Sequence, residues 1–391
     1  MSIEPQRMPL SSGCDLMSYD PHLRPDQDQL QVIKIILLPE NERKAACELW
    51  LAKNPDPDLN NPQLRELLQR IYLLLNELGP DHPTVASIRT MYIGHLARAT
   101  QQRKLWRLLI KALIGNGISP ILLKGTSMVE TYYANPTDRP MADADIYVTK
   151  EQQLKAHETL ISLDWNEVNG KANLRNSKFE HAAPYVFSEF AYGSVDLHTH
   201  IMSKYPNDGI DQWYTRQTER FSYEGVSSSR LNPTALLTHT ILHGMRWDQL
   251  TPVNWIIDSA MICRLRGDEI DWDAILIFAR KHKVLVRLGL GLTYLHEEFQ
   301  VQIPAKVLGD LHEYKPGWFE RFENGFLLTI SPHLLSGPKG VFKLLYFIVW
   351  RSMRMEHKWL LPINILWTGF HMIGNDTESN VIERLFHYGK K

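Results

Sequence analysis

The chain has 391 residues, enough for two or three domains, and 44% of them are hydrophobic, enough for a sizeable core. The 43 basic and 44 acidic residues give a net charge of −1, which excludes the global basic field typical of proteins that bind nucleic acid in bulk. Three scattered cysteines without a CxxC spacing argue against a disulfide framework and favour a reducing compartment, so the cytoplasm is the expected location.

The first segment of the chain predicts neither an export signal nor order. Residues 1–20 are polar and lack an apolar core segment, and residues 1–28 as a whole are predicted to be poorly ordered. The longest apolar run, Leu344 to Trp350, is far shorter than the roughly 20 residues that a membrane span requires. We therefore expect no transmembrane segment.

Residues 29–117 are predicted to form an N-terminal helical region. Helical patterns cover Leu30 to Leu51, Leu64 to Leu78 and Val85 to Ile114, with a cluster of Asn, Asp and Pro at residues 54–62 as a break. The last helix repeats apolar residues at helical spacing, which predicts one buried face made of Leu105, Leu108, Leu109, Ala112 and Leu113. Asn116 and Gly117 are typical of its C-terminal end.

Residues 118–205 are predicted to form a compact α/β core. Strands are expected at Ile118 to Leu123, Ala144 to Val148, Trp165 to Val168, Glu180 to Phe190 and Ser194 to His200, with helices at Thr126 to Tyr133 and Glu151 to Leu163. From residue 206 the pattern is helical nearly to residue 391, including a helix opened by Asn232 and Pro233. The expected fold class is α+β, a small mixed sheet flanked by N-terminal and large C-terminal helical regions.

Three carboxylates carry the chemical signal of the core. Asp143 and Asp145 stand two residues apart on a strand and therefore point to one face, and Asp196 follows on a later strand. Carboxylates in this arrangement suit Mg²⁺, or Mn²⁺ in its place, bound together with the phosphates of a nucleoside triphosphate. We predict that all three hold metal and that Asp196 either completes the metal site or accepts the proton of the acceptor hydroxyl.

The turn before the first helix is predicted to bind the triphosphate. Gly125 allows the backbone to approach phosphate, and Thr126 and Ser127 open a helix whose first amides favour an anion. Lys124 and Arg139 are the expected counter-charges, and His198 is expected to line the nucleotide cleft beside Asp196. The pattern predicts transfer of a nucleoside monophosphate from an NTP, with ATP as the first choice, to an unidentified acceptor. A small molecule or a protein side chain is favoured over long nucleic acid, and no stable nucleic-acid partner is expected.

These residues resemble an uncharacterised bacterial nucleotidyltransferase family of the DNA polymerase β superfamily. The resemblance covers about residues 90–310 and rests on segments that the family shares, namely Leu122 to Gly125, Tyr132 and Tyr133, Arg139 to Ile146, Val195 to His198, Leu236 to Gly244, Asn254 to Asp258 and Ile270 to Asp273. It implies the nucleotidyltransferase fold and the reaction type, and it does not imply an acceptor. On this interpretation the C-terminal helical half supplies the acceptor pocket.

Several other interpretations stay open at this point. The same fold could bind a nucleotide or a partner without catalysis. His198 and His200 form an HxH pattern like that of PHP-type metal phosphoesterases, and His239 and His243 have the spacing of a zinc pair on a helix. His181 could face the cleft or be structural. The basic and aromatic residues of segment 339–359 are typical of a solvated helix face, with a membrane or nucleic-acid surface as the alternative.

Overall fold

The computed structural model describes residues 25–135, 138–168, 181–190, 192–202, 207–245, 253–329 and Arg354. Its centre is a seven-stranded mixed sheet in the order β3-β4-β5-β2-β1-β7-β6. The strands are β1 (Ile121–Leu122), β2 (Ala144–Tyr147), β3 (Trp165–Glu167), β4 (Ala182–Phe187), β5 (Ser194–His198), β6 (Thr218–Tyr223) and β7 (Val226–Leu231). Strand β2 runs parallel to β5, β1 runs parallel to β7, and the other neighbours are antiparallel. The predicted α+β class is confirmed.

In the described part of the chain, five helices precede the sheet. They are α1 (Gln27–Leu37), α2 (Glu40–Lys53), α3 (Pro62–Arg70), α4 (Tyr72–Leu78) and α5 (Pro83–Gly115). Helix α1 begins two residues before the predicted boundary at residue 29 because Asp26 and Gln29 form a capping box, in which Asp26 accepts from the Gln29 amide at 2.8 Å. Residues 1–24, predicted to be poorly ordered, lie outside the described part of the chain.

Helix α5 buries a face that is shifted from the predicted one. Leu109 and Leu113 are buried as expected, but Leu108 is 50% exposed. Trp106 and Ile110 are fully buried in its place, and the Trp106 indole donates to the Ser194 carbonyl at 3.0 Å. The indole hydrogen bond anchors the helix against the start of β5 and sets its rotation. Leucine spacing alone could not predict this rotation, because Leu105 and Leu108 fit the helical spacing of the buried face as well as Leu109 and Leu113 do.

Helices α6 (Lys124–Tyr132) and α7 (Gln153–Ser162) lie within the core, and a run of helices follows it. The later helices are α8 (Asp208–Arg216), α9 (Pro233–Gly244), α10 (Asn254–Arg266), α11 (Trp272–Lys281), α12 (Leu285–Phe299), α13 (Ala305–His312) and α14 (Trp318–Thr329). One apolar cluster joins the N-terminal helices, α6 and the C-terminal helices, and a second lies between α5, α7 and the sheet. No helix among the described residues is long and apolar enough to cross a membrane.

The prediction of a continuous helical pattern after residue 206 is wrong at residues 218–231. Strands β6 and β7 form a hairpin there, and β7 adds to the central sheet beside β1. Glu224 and Gly225 form its two-residue loop with positive φ angles of 48° and 77°, the backbone of a tight hairpin turn. The three serines of β7 hide the alternation that would predict a strand. The boundary at residue 205 stays a prediction, although strands on both sides of it share one sheet.

The basic and aromatic segment 339–359 lies outside the described residues except for Arg354. This arginine is buried rather than solvated: its side chain is 7% exposed and pairs with Glu323. It also donates to the carbonyls of His282 and Lys283 at 2.7 and 2.9 Å. The expectation of a solvated face is therefore wrong for Arg354, because its guanidinium caps the end of α11.

The close contact between α9 and α10 gives a stability prediction. A Cβ at Gly244 would lie 2.1 Å from Cβ of Trp255, so Gly244→Ala forces the two helices apart. We expect a loss of about 2–3 kcal/mol in the free energy of unfolding, measured by urea denaturation. The matched control is Gly309→Ala in α13, where no described atom lies within 4 Å of the added carbon. That substitution should stabilise by roughly 0.5–1 kcal/mol, and equal effects at both sites would contradict the packing.

Candidate active site

Parallel pairing of β2 and β5 brings two of the predicted carboxylates together. Asp145 and Asp196 are direct partners in the register of the two strands. One potential metal-ligand atom from each of Asp145, Asp196 and His198 lies within 4.8 Å of the others. Asp143 stands immediately before β2, so it shares the sheet face of Asp145. Three aspartates from two separate stretches of the sequence, residues 143–145 and residue 196, therefore lie close together.

Asp143 is affected by both other carboxylates. Burial raises its pKa to about 6, and the negative charges of Asp145 and Asp196 contribute to the rise, while Lys124 opposes it. Burial and two like charges thus disfavour the ionised form of Asp143, and Lys124 offsets them only in part. A divalent cation would add positive charge at this cluster.

Asp145 is the carboxylate that the protein itself stabilises. Burial alone would raise its pKa, but the Lys124 ammonium and a hydrogen bond from His198 outweigh burial and hold the pKa well below its usual range. Lys124 pairs directly with Asp145 Oδ1, and His198 Nε2 lies 2.8 Å from the same oxygen. The other ring nitrogen of His198 lies 3.2 Å from the His200 carbonyl. His198 is completely buried, so it orients Asp145 from inside the fold rather than lining the open cleft as predicted.

The predicted phosphate turn begins α6, two residues earlier than expected. Lys124 is its first residue and has a positive φ of 47°. A Cβ at Gly125 would lie 2.8 Å from the sulfur of Met141, so a larger residue there would have to displace the Met141 side chain. The hydroxyl groups of Thr126 and Ser127 are buried, and Ser127 Oγ donates to the Lys124 carbonyl at 2.7 Å. The first backbone amides of α6 are thus what this turn can offer a phosphate, rather than the two hydroxyl groups.

Arg139 has a structural partner in place of a phosphate. Its Nε lies 3.1 Å from Asp258 Oδ1, its Nη2 lies 2.9 Å from Asp258 Oδ2, and the Tyr133 hydroxyl donates to the same carboxylate. Arg139 and Asp258 are 11% and 5% exposed. This bidentate pair ties the loop before Asp143 to α10. Arg139 was predicted to balance the charge of the triphosphate, whereas in this structure its charge is balanced by Asp258.

The two histidines of the HxH pattern, His198 and His200, belong to different groups of potential ligands in the folded chain. His200 Nδ1 lies 2.6 Å from Asp211 and belongs to a second ligand group with Asp208 and Asp211, apart from His198. The HxH pair therefore does not converge on one site, as a PHP-type centre would require. His239 stacks on His243 with ring centroids 5.5 Å apart, and His239 Nε2 faces the Ile201 carbonyl at 3.2 Å. His181 lies edge-on to His198 at 5.4 Å and lines the cavity.

A cavity of about 910 Å³ opens over the carboxylates. Lys124, Gly125 and the three aspartates form one part of its lining. Helices α3 and α5 form most of another part, whereas His243 and Asn254 are the lining residues from the C-terminal half. The location of the acceptor pocket stays a prediction, and the C-terminal half forms only a small part of this lining. Sequence analysis missed the contribution of α3 and α5, since their cavity-facing residues look like ordinary polar helix positions.

The Arg139–Asp258 pair gives a second stability prediction. Asp258→Asn leaves the buried guanidinium of Arg139 without a charged partner, and we expect a loss of about 3–5 kcal/mol in the free energy of unfolding. The control is Asp273→Asn, because Asp273 pairs with Lys306 at 3.1 Å while both side chains are more than 70% exposed. Urea denaturation should show no measurable change for the control. A loss as small as the control's would rule out the structural role of Asp258.

His239 gives a pH-dependent prediction. Burial, with help from the positive charge of Lys124, lowers its pKa to about 3, whereas an unfolded histidine titrates near 6.5. Between these values the unfolded chain binds the extra proton, so this residue makes stability fall as pH falls, by up to about 1.4 kcal/mol per pH unit. We expect His239→Gln to reduce that slope between pH 6.5 and 4 in denaturation series. An unchanged slope would mean that His239 is protonated in the folded protein.

Comparison with known proteins agrees with this geometry. The family described as uncharacterised nucleotidyltransferase matches residues 63–300, more than half of the chain. Neither the curated proteins nor the solved structures contain a significant match. The match includes α3, the glycine turn, all three aspartates and α10, which are the elements around the cavity. The chain therefore belongs to this family of nucleotidyltransferases.

Proposed function

We propose that this nucleotidyltransferase moves a nucleoside monophosphate from an NTP to an acceptor hydroxyl and that it requires Mg²⁺, with Mn²⁺ as a possible substitute. The observation that carries the proposal is the in-register pair of Asp145 and Asp196 beside Asp143, a cluster in which Asp145 is buried and the other two carboxylates are half-buried. Oxygen ligands of this kind suit a hard divalent cation. When bound, the cation would neutralise phosphate charge and lower the pKa of an acceptor oxygen.

The residues of the chain have distinct roles in this proposal. Asp143, Asp145 and Asp196 hold the metal, and His198 orients Asp145 through its hydrogen bond. The backbone at Gly125 and the first amides of α6 bind phosphate oxygens, and Lys124 lies close enough to the cluster to contribute charge. Arg139 positions the loop before Asp143 and does not contact phosphate.

The transfer balances with groups that are present. The acceptor oxygen forms a bond to the α-phosphorus while the bond from that phosphorus to the bridging oxygen breaks, and pyrophosphate leaves. Asp196, the partner of Asp145 in the register, accepts the proton of the acceptor hydroxyl. ATP is our first choice among the NTPs. Buried free thiols at Cys47 and Cys263 are consistent with a reducing cytoplasmic location.

Substitution of the cluster tests the proposal. Asp145→Asn and Asp196→Asn should each lower Mg²⁺-dependent pyrophosphate release from labelled NTP by at least about 100-fold, because each removes a metal ligand. The control is Asp208→Asn in the other group of potential ligands, where Asp208 is 46% exposed and pairs with Lys150. The control should keep the wild-type rate, and thermal unfolding should confirm that all three variants fold.

Two results would contradict the proposal in different ways. A wild-type rate of pyrophosphate release in Asp145→Asn would show that the carboxylate cluster takes no part in the reaction. Tight binding of Mg²⁺-NTP by the wild-type protein without pyrophosphate release, over a broad set of acceptors, would favour the alternative of a nucleotide-binding protein that does not catalyse transfer.

A further inference from the structure

Helices α3 and α5 each turn one polar face toward the cavity. The lining residues of α3 and of α5 recur at i, i+3, i+4 and i+7, the spacing of one helix face. We call the residues used below the α3/α5 face: Arg65 and Gln69 from α3, and Gly94, His95 and Arg98 from α5. The opposite faces of the same helices pack inward through buried residues such as Leu64, Leu68 and Ile88. Apart from His95, which is 6% exposed, the residues of the α3/α5 face are not buried in the core.

Two guanidinium groups of the α3/α5 face have no carboxylate partner among the described residues. No ion pair joins Arg65 or Arg98 to a described acidic side chain, whereas Arg70, Arg103 and Arg139 are all paired. Arg98 lies over the Tyr192 ring, 4.5 Å from its centre, which holds the guanidinium in place without neutralising it. A planar guanidinium fixed in a cavity without an internal anion suits the phosphate or carboxylate group of a ligand.

The acidic residue on the same wall is already engaged. Glu66 accepts from the Asn254 side chain at 2.8 Å and pairs with Arg70 at 3.5 Å. Its charge is therefore shared with a neighbouring arginine. The α3/α5 face presents a net positive charge to the cavity, opposite the negative charge of the carboxylate cluster.

Helix α5 is fixed next to the carboxylates. One turn beyond Arg98, the Gln102 amide donates to the carbonyls of Ala142 and Tyr192 at 3.1 and 2.8 Å. Ala142 immediately precedes Asp143, and Tyr192 precedes the strand that carries Asp196. A ligand on the α3/α5 face therefore lies beside the two strands that present the reacting groups.

The proposed phosphate contacts lie on a different element. In-line transfer places the acceptor and the leaving pyrophosphate on opposite sides of the reacting phosphorus. With the phosphates at the start of α6, the acceptor needs a wall that belongs to neither α6 nor the sheet, and α3 and α5 provide one. The cavity volume of about 910 Å³ is at the upper end of the range for small-molecule sites, about 300–1,000 Å³.

We propose that the α3/α5 face is the acceptor subsite and that it takes a small hydroxylated anion, held through its phosphate or carboxylate group by Arg65 and Arg98. This inference rests on the proposed function, because it assigns the second substrate of the same reaction. It identifies the acceptor as a small charged molecule and not as a protein or a nucleic-acid end.

Binding of simple probes tests the inference. Glycerol 3-phosphate, glycerate and uncharged glycerol are titrated calorimetrically into the full chain saturated with Mg²⁺ and a non-hydrolysable NTP analogue. We expect saturable binding of at least one of the two anions and none of glycerol. The stronger anion tells whether the subsite suits a phosphate or a carboxylate.

Glycine variants of α5 locate the binding site. A Cβ at Gly94 would meet no described atom within 4 Å, so Gly94→Leu adds a side chain at the cavity without a clash at its Cβ. The matched control is Gly115→Leu at the end of the same helix, where the added Cβ also meets nothing within 4 Å. We expect at least a tenfold weaker affinity for the anion in Gly94→Leu and in an Arg65→Ala, Arg98→Ala double variant, and an unchanged affinity in the control.

Three results would overturn the inference. The first is that neither anion binds saturably, and the second is that all variants bind the anion equally. The third is that the variants weaken binding of the NTP analogue and not of the anion, which would show that Arg65 and Arg98 bind the triphosphate. The affinity for the analogue and pyrophosphate release with a broad set of acceptors are measured separately on the wild-type protein. Their absence would defeat the proposed function, whereas their presence together with a failed anion titration would defeat this inference alone.

Discussion

The in-register pairing of β2 with β5 places Asp145 beside Asp196, and much of the surrounding structure offsets the free-energy cost of burying these charges. Lys124 and His198 meet the same oxygen of Asp145. To reach it, Lys124 adopts a positive φ of 47°, a backbone conformation that costs a residue with a side chain roughly 1–3 kcal/mol. Strain at this residue is tolerated because the ion pair and the start of α6 both depend on its position.

Asp258 performs a comparable task outside the cluster. It joins the loop before Asp143, through Arg139, to the end of α6, through Tyr133, and to its own helix α10. Nearby, Asn254 of α10 bonds to Glu66 and Arg70 of α3. Two buried polar networks therefore hold the N-terminal helices, the sheet and the C-terminal helices around one cavity.

The cavity is electrostatically divided, and the division suits a reaction between two anions. Carboxylates occupy the floor formed by the sheet, and they need a cation before a triphosphate can approach. Arginines without acidic partners among the described residues occupy the wall formed by α3 and α5. A negatively charged acceptor would be repelled by the floor and attracted by the wall, which would orient its hydroxyl toward the carboxylates and its charged group away from them.

The sequence by itself determined the family, and with it nucleotidyl transfer, through segments that the family shares. It also determined that Asp143 and Asp145 lie on one face, because alternation along a strand is local. Most helices were likewise determined by spacing and capping within a few residues. It missed the hairpin of β6 and β7, whose serines carry no apolar alternation. Only the tertiary structure decided the partners of each charge. Arg139 meets Asp258 119 residues away and His198 meets Asp145 53 residues away, and contacts over such separations follow from how the elements pack, which no local pattern records.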